Sequence, residues 1–403
     1  IMPMRPPAGF ISAFYDPLRN PNAPTIGTAT AGDAQASVTF TAPANVGGSA
    51  ISSYSALSTP GGFVGTAASS PVTVTGLSNG TAYTFAVWAT NTYGPSAYSA
   101  SSGSVTPNIY AYFGGGLLGG SRTASVQRVA FGTSGNATSF GDLTEARSWV
   151  GACASATRGV WAGGRNTSVV NVNTIDYVTL STGGGGSYFG DLTSARIQPA
   201  GASNSTRGLF AGGSGSTSSI NYITIATTGN ATSFGGLTVG RYGAGGCASP
   251  TRAVFSGGGS SASGDAGTNI IDYVTIDTTG NATDFGDLIL ACTDVSACSN
   301  ATRGVTFGGR SNSTAFNTIE YITIASTGNA TDFGDLTQKV PYCAAAASSI
   351  YAIRSGGSVD YSTATNVMDY ITLASTGNAT DFGDLTNTTE QHAGCSNAHG
   401  GLS

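Results

Sequence analysis

Residues 271–288 read IDYVTIDTTGNATDFGDL, and most of the chain repeats their pattern. In IDYVTI, Ile271, Tyr273 and Thr275 point one way along an extended strand, and Asp272, Val274 and Ile276 point the other. Both faces are partly apolar, as expected of a strand covered on both sides. TGNAT follows, with Gly280 and Asn281 offering left-handed backbone for a tight turn, and then a second short strand ending in FGDL. Close relatives of this stretch occupy 175–192, 220–237, 319–336 and 368–385, and a looser one occupies 126–143. The marker begins at Phe140, Phe189, Phe234 (FGGL), Phe285, Phe333 and Phe382, at successive intervals of 49, 45, 51, 48 and 49 residues.

A second marker, Gly-Gly after a short apolar run, ends at Gly164, Gly213, Gly258, Gly309 and Gly357, each 24 positions after the preceding marker Phe. All length variation is therefore confined to the segments 165–174, 214–219, 259–270, 310–318 and 358–367, with 116–125 as the first equivalent. A period near 50 built only of short strands predicts a β-propeller with one four-stranded sheet per repeat. The beginning of the repeats supplies only three strands (IYAYFGG, ASVQRVAF, ATSFGDL), and the end, EQHAGCSNAHGGLS, supplies one. One plus three predicts a sixth blade closed by the C-terminal strand, which leaves no open sheet edge.

Gly-Gly after the second strand, Tyr177, Tyr222, Tyr273, Tyr321 and Tyr370 on the third, and an aromatic on the fourth resemble the Kelch repeat. Kelch's Trp is Phe here, and its following Arg survives as Arg147, Arg196 and Arg241. Cys292, Val340 and Thr389 stand at that place in the other repeats, which are expected to lack whatever the Arg stabilises. The resemblance spans residues 108–403 and implies a fold, not an activity.

Residues 21–107 differ in kind. About seven short alternating runs separated by Gly, Pro, Asn and Ser predict a β-sandwich. VTGLSNGTAYTFAVWATNTYGPSAYS (74–99) resembles a fibronectin type III domain: Leu77 and Tyr83 match its tyrosine corner, and Ala89, Asn91, Gly94 and Ser96 match its A-x-N-x-x-G-x-S run. Phe40 replaces the usual early Trp. The resemblance implies a spacer or an adhesion module, and with no RGD tripeptide the spacer is preferred. Residues 1–20 form a Pro-rich arm carrying Phe10, Ile11, Phe14 and Tyr15. Two readings stay open: an arm packed on the next domain, or an anchor burying its aromatics in another subunit.

Only 9% of the 403 residues are charged and 60 are glycine, yet 40% are apolar and strictly periodic, which argues for a folded protein and against disorder. A net charge of −5 speaks against a nucleic-acid-binding face. No apolar run reaches the length of a membrane span, and the opening residues lack the n- and h-regions of a secretory signal.

Chemistry-bearing residues are sparse. Cys153, Cys247, Cys298 and Cys395 fall at one repeat position, where separation between blades predicts buried free thiols without disulfides. His392 and His399, the two histidines, are too few for a metal centre, so no metal and no cofactor are expected. Asp142, Asp191, Asp287, Asp335 and Asp384 also recur in register. They are expected to hold backbone donors near a strand end, since a hydrolase needs two different carboxylates at one site. Arg158, Arg207, Arg252 and Arg303 recur between the first and second strands, open to structural pairing or to an anionic partner. The Asn-x-Ser/Thr sites at Asn136, Asn230, Asn281, Asn300, Asn329 and Asn378 follow from repeated turn chemistry.

The arm AGFISAFYDPLRNPNAPTIGTAT (8–30), leading through the fibronectin-like module into YITIxxTGNATDFGDL repeats, resembles virion structural proteins of marine tailed bacteriophages. That resemblance implies a non-enzymatic fibre, appendage or decoration protein on the virion surface. Its arm would dock on other virion proteins, its partner would be a host-surface glycan or protein, and homo-oligomerisation stays open. A bacterial surface adhesin and a polysaccharide-active enzyme are the alternatives. Variable loops on a constant scaffold are where recognition resides, so Arg165, Asp265, Arg310, Phe316, Asp360 and Tyr361 are the candidate ligand-binding residues.

Overall fold

The computed structural model describes residues 18–402 except 33, 79, 80, 133, 261, 360 and 362. Phe10, Ile11, Phe14 and Tyr15 of the arm, and Asp360, lie outside the described residues. Among the described residues there is no α-helix, only two single 3-10 turns, Gly264–Ala266 and Gly400–Leu402. The chain divides into two compact units, one ending at Asn108 and one beginning at Ile109.

In the first unit, Thr25–Gly32, Gln35–Thr41 and Val72–Thr75 form one antiparallel sheet. Val64–Ala67, Ser53–Thr59, Thr84–Asn91 and Gly94–Pro95 form a second. Alternation decides the inward faces: Ala36, Val38 and Phe40 meet Tyr54, Ala56, Phe85, Val87 and Ala89 in one apolar cluster. Tyr83 is buried in that cluster, and its hydroxyl accepts the Ser78 N–H at 3.0 Å. Ser96, Ser99 and Ser102 each accept through the side chain a backbone N–H of Ala89, Val87 and Phe85 in turn.

The second unit repeats one antiparallel four-stranded sheet, consistent with propeller blades. Gly151–Ala154, Arg158–Ala162, Thr174–Thr179 and Ser187–Asp191 form the first complete example, and four more follow in the same order. In the remaining sheet, Tyr110–Gly114, Ser125–Ala130 and Thr138–Asp142 are joined by Ala393–Ser396, which pairs antiparallel with Tyr110–Gly114. First strands are made almost wholly of Gly, Ala, Ser and Cys, because each lies beside the first strands of both neighbouring sheets. Ala393–Ser396 neighbours both Ala344–Ala347 and Gly151–Ala154.

The FGDL marker has a specific geometry. Ile271 pairs with Gly286 and Asp272 with Asp284, so Phe285 is the extra residue of a β-bulge, and the other repeats shift register at the same place. The bulge turns Phe285 into the core, 3% exposed, edge-on to Tyr273. It also frees backbone groups that the next repeat's turn uses. Gly328 N–H donates to Phe285 O, Ala330 N–H donates to Asp287 O, and Asn329 Oδ1 accepts the Asp287 N–H. The turn lies so close that a Cβ on Gly286, whose φ is +146°, would strike Gly328 O.

This corrects the expectation for the repeated aspartates. The backbone of Asp191, Asp287, Asp335 and Asp384, rather than the carboxylate, makes the recurring bonds, and the sequon asparagines supply the capping acceptor. Between Asp142 and the following repeat the turn is GGGG, and Gly184–Gly185 docks as a short parallel strand on Thr138–Asp142.

In four repeats a buried guanidinium ties the third strand to neighbouring carbonyls. Arg147, 0% exposed, donates to Gly163 O, Thr174 O and, at 2.5 Å, Asp176 Oδ2; Thr144 donates to the other oxygen of Asp176. Arg241–Asp272 is equivalent, and Arg196 meets the neutral Asn221. The Val340 repeat does not lack the group. Arg354, on its second strand, reaches the same place and pairs with Asp369, Gly356 O and Val367 O. Glu320 and Gln127 take the acceptor role in the Cys292 and Thr389 repeats, where Gln127 accepts from Thr386 across 259 residues.

Candidate functional site

Nine residues after each marker Phe come Trp149, Gln198, Gly243, Asp294, Tyr342 and Gln391. All six have left-handed backbone, with φ between 57° and 63°. For Trp, Gln, Asp and Tyr that conformation costs about 1 kcal/mol each, and a chain of hydrogen bonds maintains it. Gln198 N–H donates to Trp149 O, Gly243 N–H to Gln198 O, Val295 N–H to Gly243 O, and Tyr342 N–H to Asp294 O. Gln391 N–H donates to Tyr342 O, and Trp149 N–H to Gln391 O, which returns to the start. With the backbone groups spent on each other, the side chains are left to define the mouth of a cavity of about 70 Å³.

That mouth has two halves. Gln198 Nε2 reaches over Gly243 to donate to Asp294 Oδ1 at 2.6 Å, and a Cβ at Gly243 would collide with the same oxygen. Across Gln391, Trp149 and Tyr342 meet edge to face, 4.9 Å between centroids at 87°. Gln391 lines the cavity, and its Oε1 is buried without a hydrogen-bond partner among the described residues.

The variable loops add to this mouth. Arg310 donates Nε to Asp294 Oδ2 (2.5 Å), Nη2 to Asp265 Oδ1 (3.1 Å) and Nη1 to Asn312 O (3.0 Å). Its guanidinium also lies 5.6 Å from the ring centres of both Tyr342 and Tyr361. Tyr361 is edge-on to Tyr342 and donates to Asn312 O, while Tyr242 donates to Asp265. Burial pushes the Asp294 carboxyl up to about 6 although Arg310 opposes the shift. The two carboxylates hold Arg310 firmly protonated.

Of the residues predicted from loop variability, Asp265, Arg310 and Tyr361 are thus brought together. Arg165 sits apart, donating to Asn171 of its own loop at 3.0 Å. Phe316 packs half-buried against the apolar cluster of Leu288, Cys292 and Val295. Trp149, Gln198, Asp294 and Tyr342 were missed because they lie in segments of constant length. Their signal was a repeat position that holds Trp, Gln, Asp or Tyr in five of six repeats, just before strands of Gly, Ala, Ser and Cys.

At the other end of the first strands the chain seals the space with its own tail. His399 Nε2 donates to Ala154 O at 2.8 Å, and its Nδ1 accepts the Gly401 N–H. A Cβ on Gly401 would strike Ser203 O, and one on Gly400 would strike Asn300 O. Burial lowers His399 to about 4 and His392 to about 3, the latter with Nε2 2.9 Å from Ser355 Oγ. Both are neutral, and neither belongs to a metal-ligand cluster among the described residues.

As expected, all six cysteines are free and buried, and Cys153, Cys247, Cys298 and Cys395, each on the first strand of a different sheet, line one shared cavity. Cys153 and Cys247 fill the space beside Gly208 and Gly304 of the next repeat, and burial raises their thiols, Cys247 to about 12. The recurring arginines are engaged structurally. Arg158, Arg207, Arg252 and Arg303 lie over Tyr177, Tyr222, Tyr273 and Tyr321 at 4.4–4.7 Å and donate to carbonyls of the following repeat.

No protein-family model and no curated protein matches this sequence.

Proposed function

We propose that the protein is a non-enzymatic structural protein of a tailed-phage particle, displayed on the virion surface for recognition of the host envelope. In this reading residues 109–403 are a six-bladed Kelch-like propeller closed by Ala393–Ser396. Residues 21–107 are a fibronectin type III spacer, and the arm 1–20 docks on other virion proteins. The observation that carries the reading is the convergence of Trp149, Asp294, Tyr342, Asp265, Arg310 and Tyr361 from distant segments onto one mouth. Aromatic rings beside hydrogen-bonding groups on a rigid frame suit selective recognition. Tail residues seal the opposite end, and the arginines there are already engaged, which favours the variable-loop side as the binding face.

Asp294, the carboxyl best placed to act as an acid, is 0% exposed in its side chain and held by Arg310 and Gln198. That favours a structural role over the polysaccharide-active alternative. The reading is tested with antibody to residues 21–107 and electron microscopy of particles, together with attachment of labelled protein to host cells. Label on the particle surface, and attachment reduced at least tenfold by Tyr342→Ala or Tyr361→Ala, are expected. Unlabelled particles would remove the virion assignment. Attachment unchanged in both variants would remove the face.

A further inference from the structure

Resting on that reading, we infer that the mouth ringed by Trp149, Gln198, Asp294, Tyr342 and Gln391 takes an uncharged pyranose residue of a surface polysaccharide. Three independent features select this ligand class.

The first is the division of the mouth. One half is aromatic, with Trp149 and Tyr342 perpendicular to each other. The other half is polar, with the Gln198 amide and the Asp294 carboxylate joined over Gly243. A pyranose has the same division: a face of C–H groups that stacks on an aromatic ring, and hydroxyls at its rim that both donate and accept. A wholly apolar ligand would leave the polar half unpaired, at the cost of desolvating it.

The second is charge. Arg310 is the cation of the cluster, and its Nε, Nη1 and Nη2 already have acceptors in Asp294, Asn312 and Asp265. With two carboxylates, Asp294 and Asp265, on this one guanidinium, the cluster offers no net positive charge to a carboxylate or sulfate. Asp265, with a side chain 57% exposed, presents negative charge to whatever approaches. A uronic acid or sulfated sugar would meet repulsion without a compensating partner, whereas a neutral sugar can donate a hydroxyl to Asp265.

The third is the unpartnered, buried Oε1 of Gln391, a residue that lines the same cavity of about 70 Å³ as Trp149 and Tyr342. An acceptor in such a place calls for a donor, and a sugar hydroxyl, directly or through one water, supplies it. Because His399 and Gly400–Leu402 fill the opposite end, the ligand enters from the loop side and ends there. The site therefore fits a chain end or a branch rather than a strand threaded through.

The test uses the full chain on a glycan microarray carrying neutral, amino, uronic and sulfated sugars. Calorimetric titration with the methyl glycosides of glucose, galactose and mannose and with glucuronate follows. Neutral glycosides should bind with Kd on the order of 1 mM, a normal strength for a single small ligand. Tyr342→Ala and Trp149→Ala should weaken binding at least tenfold. Trp149→Tyr should keep most of it, and Arg165→Ala should leave it unchanged. Ligand binding should also change tryptophan fluorescence, and the change should largely disappear in Trp149→Tyr, because Trp161 is wholly buried and Trp88 belongs to the first unit. Preferential binding of uronic or sulfated glycans would overturn the inference, as would neutral binding indifferent to both alanine variants. Loss of cell attachment in those variants without neutral-glycan binding would overturn the ligand class and leave the recognition face standing. Unchanged attachment would remove both.

Discussion

Asn136 Oδ1 accepts the backbone N–H of Asp384 at 3.1 Å, across 248 residues of sequence. Asn230 does the same for Asp191, Asn329 for Asp287 and Asn378 for Asp335, at 3.0–3.1 Å. A contact between the two ends of the repeat array is thus chemically the same as those inside it. Each is supported by the same flanking bonds, Gly135 N–H to Phe382 O and Ala137 N–H to Asp384 O.

If these contacts are equivalent, Asn136→Ala and Asn329→Ala should destabilise alike. Each removes one hydrogen bond to a backbone N–H, worth about 1 kcal/mol. For a domain of this size that lowers Tm by about 2–4 °C. Thermal unfolding followed by circular dichroism decides it. A loss confined to Asn329→Ala would mean that the terminal contact carries no load.

Gly286→Ala should cost more than either, about 2–3 kcal/mol. A side chain is strained at φ +146° and its Cβ would push against Gly328 O, separating the bulge from the next repeat's turn. Urea unfolding measures this, and a cost below about 0.5 kcal/mol would refute the docking described above.

The buried Arg147–Asp176 pair makes an asymmetric prediction. Arg147→Leu leaves a carboxylate without its partner and should cost about 3–5 kcal/mol. Asp176→Asn reproduces what Arg196 and Asn221 already do in the next repeat, and should cost about 1 kcal/mol. Equal costs would show that the carboxylate charge, rather than hydrogen-bond geometry, is what the site requires.

pH dependence divides between two sets of groups. His399 and His392 are lowered by burial to about 4 and about 3 from 6.5, so below pH 6.5 the unfolded chain binds more protons than the folded one. Their stabilisation is present above that value and is lost as pH falls toward the folded values. Asp294 works in the opposite sense. Raised from 3.8 to about 6, it holds an extra proton in the folded protein between those values, so its contribution falls as pH rises. Denaturant unfolding from pH 4 to 7.5 should therefore show His399→Gln losing less stability on acidification than the parent. Asp294→Asn, which accepts left-handed backbone readily, should lose more. Parallel pH curves for all three proteins would refute the assignment.

Much of this architecture was legible in the sequence. The period near 50, the constant interval between the two markers, and the alternation in IDYVTI predicted repeated four-stranded sheets. These features are local, because strand direction, turn position and inward face follow from side-chain alternation and turn chemistry within one repeat. The placement of Tyr273 and Phe285 on the third and fourth strands of one sheet could likewise be read from their spacing, although their edge-to-face contact could not.

Contacts between repeats were not legible. Arg354 replaces a missing Arg from a different strand, because a buried guanidinium can reach one set of carbonyls from either side. Similarly, the sequon asparagines looked like ordinary turn residues until the bulge at Phe285 exposed the N–H they cap. The candidate site depended most on the tertiary structure. Asp265, Arg310 and Tyr361 could be guessed from variable loops, but Arg165 and Phe316 satisfied the same criterion and point elsewhere. Trp149, Asp294 and Tyr342 lie in segments of constant length and meet only because the repeats bring one left-handed position from each onto a common ring. By itself the sequence determined what each repeat is. Which side chains face one another depends on the angle between repeats, a property of packing among distant strands that no local pattern encodes.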